Sequence, residues 1–152
     1  SAPNIRLLIA GEGDQRPVIE RAIKERNLES HVVLAGNRSD VPDLLAASDA
    51  FLMSSISEGI PLTIIEAMAA GIPVVSTAVG GIPEMVQHDV NGFLAAAEDF
   101  SGLARSLVRL YQQPALRQAI SAAGRETAER DFSLDGMLNG YSRTYQEMLR
   151  DC

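Results

Sequence analysis

The sequence predicts an α/β fold in which helices cover both faces of a doubly wound parallel sheet. Over residues 5–95, short apolar segments rich in β-branched residues alternate with segments whose apolar residues have helical spacing. The connections between these segments are brief, and brief alternating connections are typical of a parallel sheet. From residue 99 onward the strand signals stop and only helical spacing continues. We therefore expect a layered sheet followed by a helical C-terminal part.

In the first half of the chain, apolar runs define the strands, and each run ends close to a glycine or a polar turn. The first helix is expected to begin near Asp14 or Gln15, and the second near Ser39 or Asp40. The predicted strands are 5–10, 31–35, 49–54, 74–76 and 92–94. The predicted helices are 17–26, 41–46, 61–70 and 83–86.

The last part of the chain, 99–150, is expected to be helical throughout. Pro114 suits the first turn of one helix, and Phe132-Ser133 leads into the last one. Tyr141 and Tyr145 lie four residues apart on that last helix. They either pack on the protein's own core, which is the usual role of such a stripe, or form a face for an absent partner.

Length and composition fit one domain over residues 1–152, because a chain that is 46% hydrophobic can bury a sizeable core. The net charge of −7 and the lack of Lys/Arg clusters argue against nucleic acid as a partner. Cys152 is the single cysteine, so no internal disulfide forms and a reducing, cytoplasmic location is expected. No apolar run reaches the length needed to span a bilayer, and we expect no export signal.

The segment 57–71 contains two carboxylates around the expected start of a helix. Pro61 suits the first helical turn, and Gly71 with Pro73 ends the helix. Glu66 stands inside an almost unbroken apolar run, which a soluble protein is expected to bury on more than one side. We therefore predict that its carboxylate meets a ligand or the rim of a cleft. The unpaired amides of the first turn form a site for an anion such as phosphate, and they belong to Leu62, Thr63 and Ile64.

These residues carry a family resemblance. Glu58 and Glu66, with seven residues between them, stand in a pattern that resembles retaining, sugar-nucleotide-dependent glycosyltransferases of group 1 (family 4), which have the GT-B fold. Further matching segments are 49–55, 79–84, 91–94 and the turn Gly11-Glu12-Gly13. The resemblance covers nearly the whole chain but only the C-terminal, Rossmann-like, donor-binding half of these enzymes.

The resemblance implies a role for each matching position. Glu66 would accept hydrogen bonds from the ribose, and the amides of Leu62, Thr63 and Ile64 would bind the distal phosphate. Glu58 would be the catalytic candidate, holding the transferred sugar together with the backbone of Gly59 and Ile60.

The strand-end loops of the first half would add contacts at the same edge of the sheet. Asn37 and Arg38 lie where the family holds the base, and Gly13 would let the chain pass close to the diphosphate. For Gly11 and Gly13, a plain strand-to-helix turn is an equally good interpretation.

The implied reaction is transfer of a sugar from a nucleoside diphosphate sugar, UDP or GDP, with retention at the anomeric carbon. Amides at a helix start stabilise the departing diphosphate, so neither a metal nor another cofactor is expected. His31 and His88 do not have the spacing of metal ligands. A glycosidase-like double displacement does not follow, since the ribose would occupy the second carboxylate.

Two parts of the family pattern are absent: a Gly-Arg segment with a Lys that grips the diphosphate, and the N-terminal acceptor domain. We therefore expect a domain incomplete at its N-terminus that is inactive alone, with the acceptor domain as its partner. The resemblance leaves open a peripheral membrane association of the full-length enzyme.

The alternatives are a non-catalytic nucleotide-binding α/β module and a relative of the sugar-nucleotide epimerases. The latter would need catalytic carboxylate and histidine positions that are not matched here. A thermal-shift titration with UDP, GDP and ADP would separate a nucleotide binder from a bare scaffold.

Overall fold

A computed structural model describes residues 5–150, and in them strands and helices alternate as the sequence predicts. The strands are β1 (Leu7–Ala10), β2 (Val32–Gly36), β3 (Phe51–Met53), β4 (Val74–Thr77) and β5 (Phe93–Ala95). The helices are α1 (Arg16–Glu25), α2 (Val41–Ala46), α3 (Leu62–Ala69), α4 (Ile82–Met85), α5 (Phe100–Gln112), α6 (Pro114–Asp131) and α7 (Leu134–Arg150). All strand pairs are parallel, so the predicted α/β class is confirmed.

The described chain divides into two compact units, residues 5–41 and 42–150. The first contains β1, α1 and β2, and its two strands pair in parallel from Leu7↔Val32 to Ile9↔Leu34. Pro17 stands in the first turn of α1, where its missing N–H needs no partner. The register shifts between Ile9 and Ala10, and Ala10 pairs with Gly36 where the glycine turn begins.

The second unit is built on a three-stranded parallel sheet in the order β3-β4-β5. All four residues of the central strand β4 are buried, which fits a strand covered on both faces. Helix α5 packs on β4 and β5, and α6 packs on α3. The core cluster consists of Val75, Phe93, Ala95, Leu103, Leu110 and Ile120.

Parallel pairing brings the carboxyl ends of β3 and β4 to one edge of this sheet. The last residue of β3, Met53, pairs with Ser76, and Thr77 pairs onward with Ala95. The segments that leave this edge are therefore 54–61, which leads into α3, and 78–81, which leads into α4.

Helix α3 begins where the sequence predicts and ends in a Schellman motif. Pro61 is its N-cap, in extended conformation. Gly71 has a φ of 72°, its amide donates to the carbonyl of Met68, and the next amide, that of Ile72, donates to Ala67. Glycine suits this position because an L-residue is strained at such a φ.

Helix α3 buries one face only, through Ile64, Ala67 and Met68. Leu62 is 67% exposed and Glu66 is also exposed. The expectation that this apolar run is buried on more than one side is therefore wrong. Ala69 and Ala70 are exposed and add apolar character to the sequence without being in the core.

Helix α7 has no buried residue. Tyr141 is 59% exposed and Tyr145 is 64% exposed, so the preferred expectation that they pack on the protein's own core is wrong. Because successive residues of a helix are about 100° apart, the apolar side chains of α7 lie within an arc of about 120° and form one face. Nothing in residues 5–150 buries this face. None of the helices within residues 5–150 has the length and hydropathy needed to cross a bilayer.

Candidate functional site

The segment between β3 and α3 holds the carboxylate of Glu58 in a defined position. The Ser55 hydroxyl donates a hydrogen bond to Glu58 Oε1 at 2.5 Å. The Ser55 carbonyl in turn accepts a hydrogen bond of 2.6 Å from Thr77 Oγ1, at the end of β4. Glu58 and Ser55 are both partly buried, while Thr77 is only 1% exposed. A buried strand end thus positions a carboxylate that remains accessible to solvent.

Two glycines after β4 pack directly on the backbone of this segment. The Gly81 amide donates to the Gly59 carbonyl at 3.0 Å. A Cβ at Gly80 would lie 1.7 Å from the Glu58 carbonyl oxygen, and one at Gly81 would lie 2.6 Å from that of Gly59. Only residues without a Cβ allow this approach, so the glycine pair is a structural requirement for the position of Glu58.

The first turn of α3 presents two backbone amides without a protein partner. Within residues 5–150, no acceptor meets the amides of Leu62 and Thr63. The amide of Ile64 differs from the expectation, because it already donates to the Pro61 carbonyl at 3.1 Å. Such an i→i−3 bond commonly tightens the end of a helix.

Glu66 lies one turn further along α3, four residues after Leu62 and three after Thr63, and residues at these spacings share a helix face. Its side chain is exposed and makes no hydrogen bond or ion pair within the described part of the chain. The burial argument for a ligand at Glu66 is therefore not supported, since water can solvate this carboxylate. Its place on the exposed face still leaves it open to a ligand.

The predicted site residues of the first unit lie in two separate loops. The Gly11 amide donates to the Gly36 carbonyl at 2.8 Å, and the positive φ of Gly11, 124°, requires glycine there. A Cβ at Gly13 would meet nothing within 4 Å, so space does not require this glycine. Beside this turn is a cavity of about 260 Å³ whose walls include Ile9, Ala10, Ile19 and Leu34.

Asn37 and Arg38 are exposed in the loop that follows β2. The Arg38 guanidinium binds both carboxylate oxygens of Asp40. This hydrogen bonding raises the pKa of Arg38 and lowers the pKa of Asp40 from its usual value. Arg38 is thus already paired, and any contact with a base would have to compete with Asp40.

Sequence reasoning placed Glu58, Gly59 and Ile60 correctly at a strand end but missed what holds them. The quoted sequence pattern includes Ser55, Gly80 and Gly81 without giving them a role, and it does not include Thr77. The glycine pair directly after a buried strand was a usable signal of close backbone approach. Nothing local distinguishes Ser55 or Thr77 from other hydroxyl residues.

Comparison with known proteins identifies the class. The chain matches the family model of the group 1 glycosyl transferases over residues 1–127, and it belongs to that family. Its α/β structure matches those of GT-B glycosyltransferases.

Individual relatives match this chain at moderate sequence identity. N-acetyl-alpha-D-glucosaminyl L-malate synthase of Bacillus anthracis is 34% identical over 146 residues, covering 96% of this chain and 38% of the relative. The crystal structure of Anabaena Alr3699/HepE in complex with UDP-glucose has a TM-score of 0.87 and 28% identity, covering 95% of this chain and 42% of that one. Sucrose-phosphate synthase from Thermosynechococcus elongatus has a TM-score of 0.85 and 27% identity, covering 97% of this chain and 39% of that one. The chain therefore spans about two fifths of the length of these proteins.

Proposed function

We propose that this chain is the donor-binding domain of a retaining glycosyltransferase that transfers a sugar from a nucleoside diphosphate sugar to an acceptor. The observation that carries the proposal is the positioned Glu58 carboxylate just before a helix whose first amides, those of Leu62 and Thr63, have no protein partner. UDP is the favoured nucleotide, because HepE, a structural neighbour, was solved with UDP and with UDP-glucose.

In this proposal the start of α3 binds the distal phosphate of the donor. Two preformed N–H groups and the positive end of the helix dipole attract the charge that develops on the phosphate oxygen when the sugar departs. They need no reorganisation at that moment, which supports the proposal that the transfer is independent of a metal. Glu66, on the exposed face of the same helix, accepts hydrogen bonds from the ribose.

Glu58 accepts hydrogen bonds from hydroxyls of the transferred sugar. Its Oε1 is already bonded to Ser55, and Oε2 has no donor within residues 5–150, so Oε2 is the oxygen open to the sugar. Because the chain covers only about two fifths of its relatives, we propose that it binds the donor and that turnover requires an acceptor domain.

Titration calorimetry of the whole chain with UDP, GDP and ADP tests the proposal. We expect UDP to bind, and Glu66→Ala to weaken UDP about tenfold, since a hydrogen bond to a charged group is lost. Glu147→Ala on α7 is the matched control, because Glu147 is also an exposed glutamate on a helix, and it should change the Kd less than twofold. A chain that binds none of the nucleotides at millimolar concentration, or a Glu66→Ala protein that binds UDP as tightly as wild type, would refute the assignment.

A further inference from the structure

The hydrogen bonds that lead from β4 to Glu58 assign a function to two residues that have none so far. The Ser55–Glu58 contact of 2.5 Å lies in the range of charge-assisted O–H···O⁻ bonds. Ser55 follows the end of β3 by two residues and Glu58 follows Ser55 by three. The bond therefore closes a small loop at the strand end and fixes the rotamer of Glu58.

Thr77 anchors this loop to the sheet. The β3–β4 pairing ends at Met53↔Ser76, so Thr77 is the first β4 residue without a backbone partner on the β3 side. Its side-chain hydroxyl donates to the Ser55 carbonyl at 2.6 Å, so it links β4 to the segment after β3 one residue beyond the last backbone pair. Thr77 is 1% exposed, so its hydroxyl would be costly to leave unpaired.

We propose that Ser55 is a positioning residue for the donor sugar: its hydroxyl orients the Glu58 carboxylate so that Oε2 faces the sugar, and Thr77 holds Ser55 in place. This inference rests on the proposed function. Without the Ser55 hydroxyl, the Glu58 carboxylate rotates among several rotamers, and ordering it on binding costs conformational entropy. In the proposed function Glu58 contacts the sugar and not the nucleotide, so this loss is expected only for a ligand that carries the sugar.

The expected result is a selective loss of affinity for the sugar-bearing ligand. Titration calorimetry compares UDP with UDP-glucose for wild type, Ser55→Ala and Ser55→Thr. Ser55→Ala should bind UDP-glucose five- to tenfold more weakly than wild type and UDP within twofold, consistent with the conformational entropy lost when one side chain is ordered on binding. Ser55→Thr keeps the hydroxyl and should restore UDP-glucose binding to within twofold of wild type.

A double-mutant cycle shows whether Ser55 acts through Glu58. The variant with both Ser55→Ala and Glu58→Gln should bind UDP-glucose no more weakly than Glu58→Gln alone. Thr77→Val, which keeps the shape of the buried side chain, should reproduce the selective loss, and Thr77→Ser should reverse it. Thermal melts of every variant identify any protein that has lost its fold.

The inference and the proposed function fail in distinguishable ways. A wild-type chain that binds neither UDP nor UDP-glucose overturns both. A wild-type chain that binds both, combined with a folded Ser55→Ala protein that binds UDP-glucose normally or loses both ligands equally, overturns only the positioning function. Additive losses in the cycle also overturn it, because Ser55 would then contact the ligand or act through another residue.

Discussion

Replacing Gly80 with alanine tests whether the glycine pair holds the candidate site. Gly80 has a φ of 54°, and a left-handed backbone costs an L-residue roughly 1–2 kcal/mol. The added Cβ would also lie 1.7 Å from the Glu58 carbonyl oxygen and 2.7 Å from its carbon. These are backbone atoms, so no side chain can turn aside, and overpacking of this kind costs roughly 1–3 kcal/mol.

We therefore expect Gly80→Ala to lower the free energy of unfolding by about 3 kcal/mol, as the sum of the two effects. Urea unfolding followed by circular dichroism measures this change as a shift of the midpoint at constant slope. Gly140→Ala is the matched control, because Gly140 lies in α7 with nothing within 4 Å of an added Cβ. Alanine is the better helix former, so the control should be unchanged or more stable by up to about 1 kcal/mol.

The result that would refute the reasoning is a Gly80→Ala protein with the wild-type midpoint. The segment 79–81 would then not be packed against Glu58 as the structure shows. A midpoint lowered equally in Gly80→Ala and in the control would refute it as well, because the loss would come from glycine replacement in general.

Two further predictions concern polar groups outside the site. The buried Asn91 side chain accepts a hydrogen bond from the Gln87 amide and donates to the Met85 carbonyl and the Thr127 hydroxyl, so Asn91→Ala should lower the unfolding free energy by roughly 2–4 kcal/mol in urea. Asn91→Asp replaces the donating amide with a carboxylate oxygen that faces the Met85 carbonyl in a buried site, so it should cost at least as much as Asn91→Ala. The Asp40 pKa is lowered by its hydrogen bonds with Arg38, so this pair stabilises the fold above the unfolded pKa of about 3.9 and ceases to do so as the pH falls through the lower folded value. Below about pH 4, the melting temperature of Asp40→Asn should therefore fall less steeply with decreasing pH than that of wild type. Equal pH dependence of the two melting temperatures would show that the Arg38–Asp40 pair does not stabilise the fold.

The sequence was sufficient for features that depend on neighbours along the chain. Pro61 and Gly71 delimit α3 because one lacks an amide proton and the other tolerates a positive φ. The β-branched residues Val74 and Val75 indicate a strand at 74–76 for the same local reason.

The sequence was insufficient where two distant segments meet. Thr77 and Ser55 are 22 residues apart, and their contact exists only because β3 and β4 pair in one register. Periodicity placed Tyr141 and Tyr145 on one face of α7 correctly, but it contains no information on what covers that face.

The position of Glu58 depends on β4, the buried central strand. Both contacts that hold the segment, the Thr77 hydroxyl and the Gly81 amide, come from residues at or just after the end of this strand. A slip of one residue in the β3–β4 register would turn the Thr77 side chain to the opposite face and move the glycines by about 3.3 Å. Leu52 of β3 packs against the core cluster that contains Val75 and Phe93, and such a slip would turn this side chain to the opposite face, so the packing opposes it. The same burial that stabilises the sheet therefore sets the geometry of the candidate site.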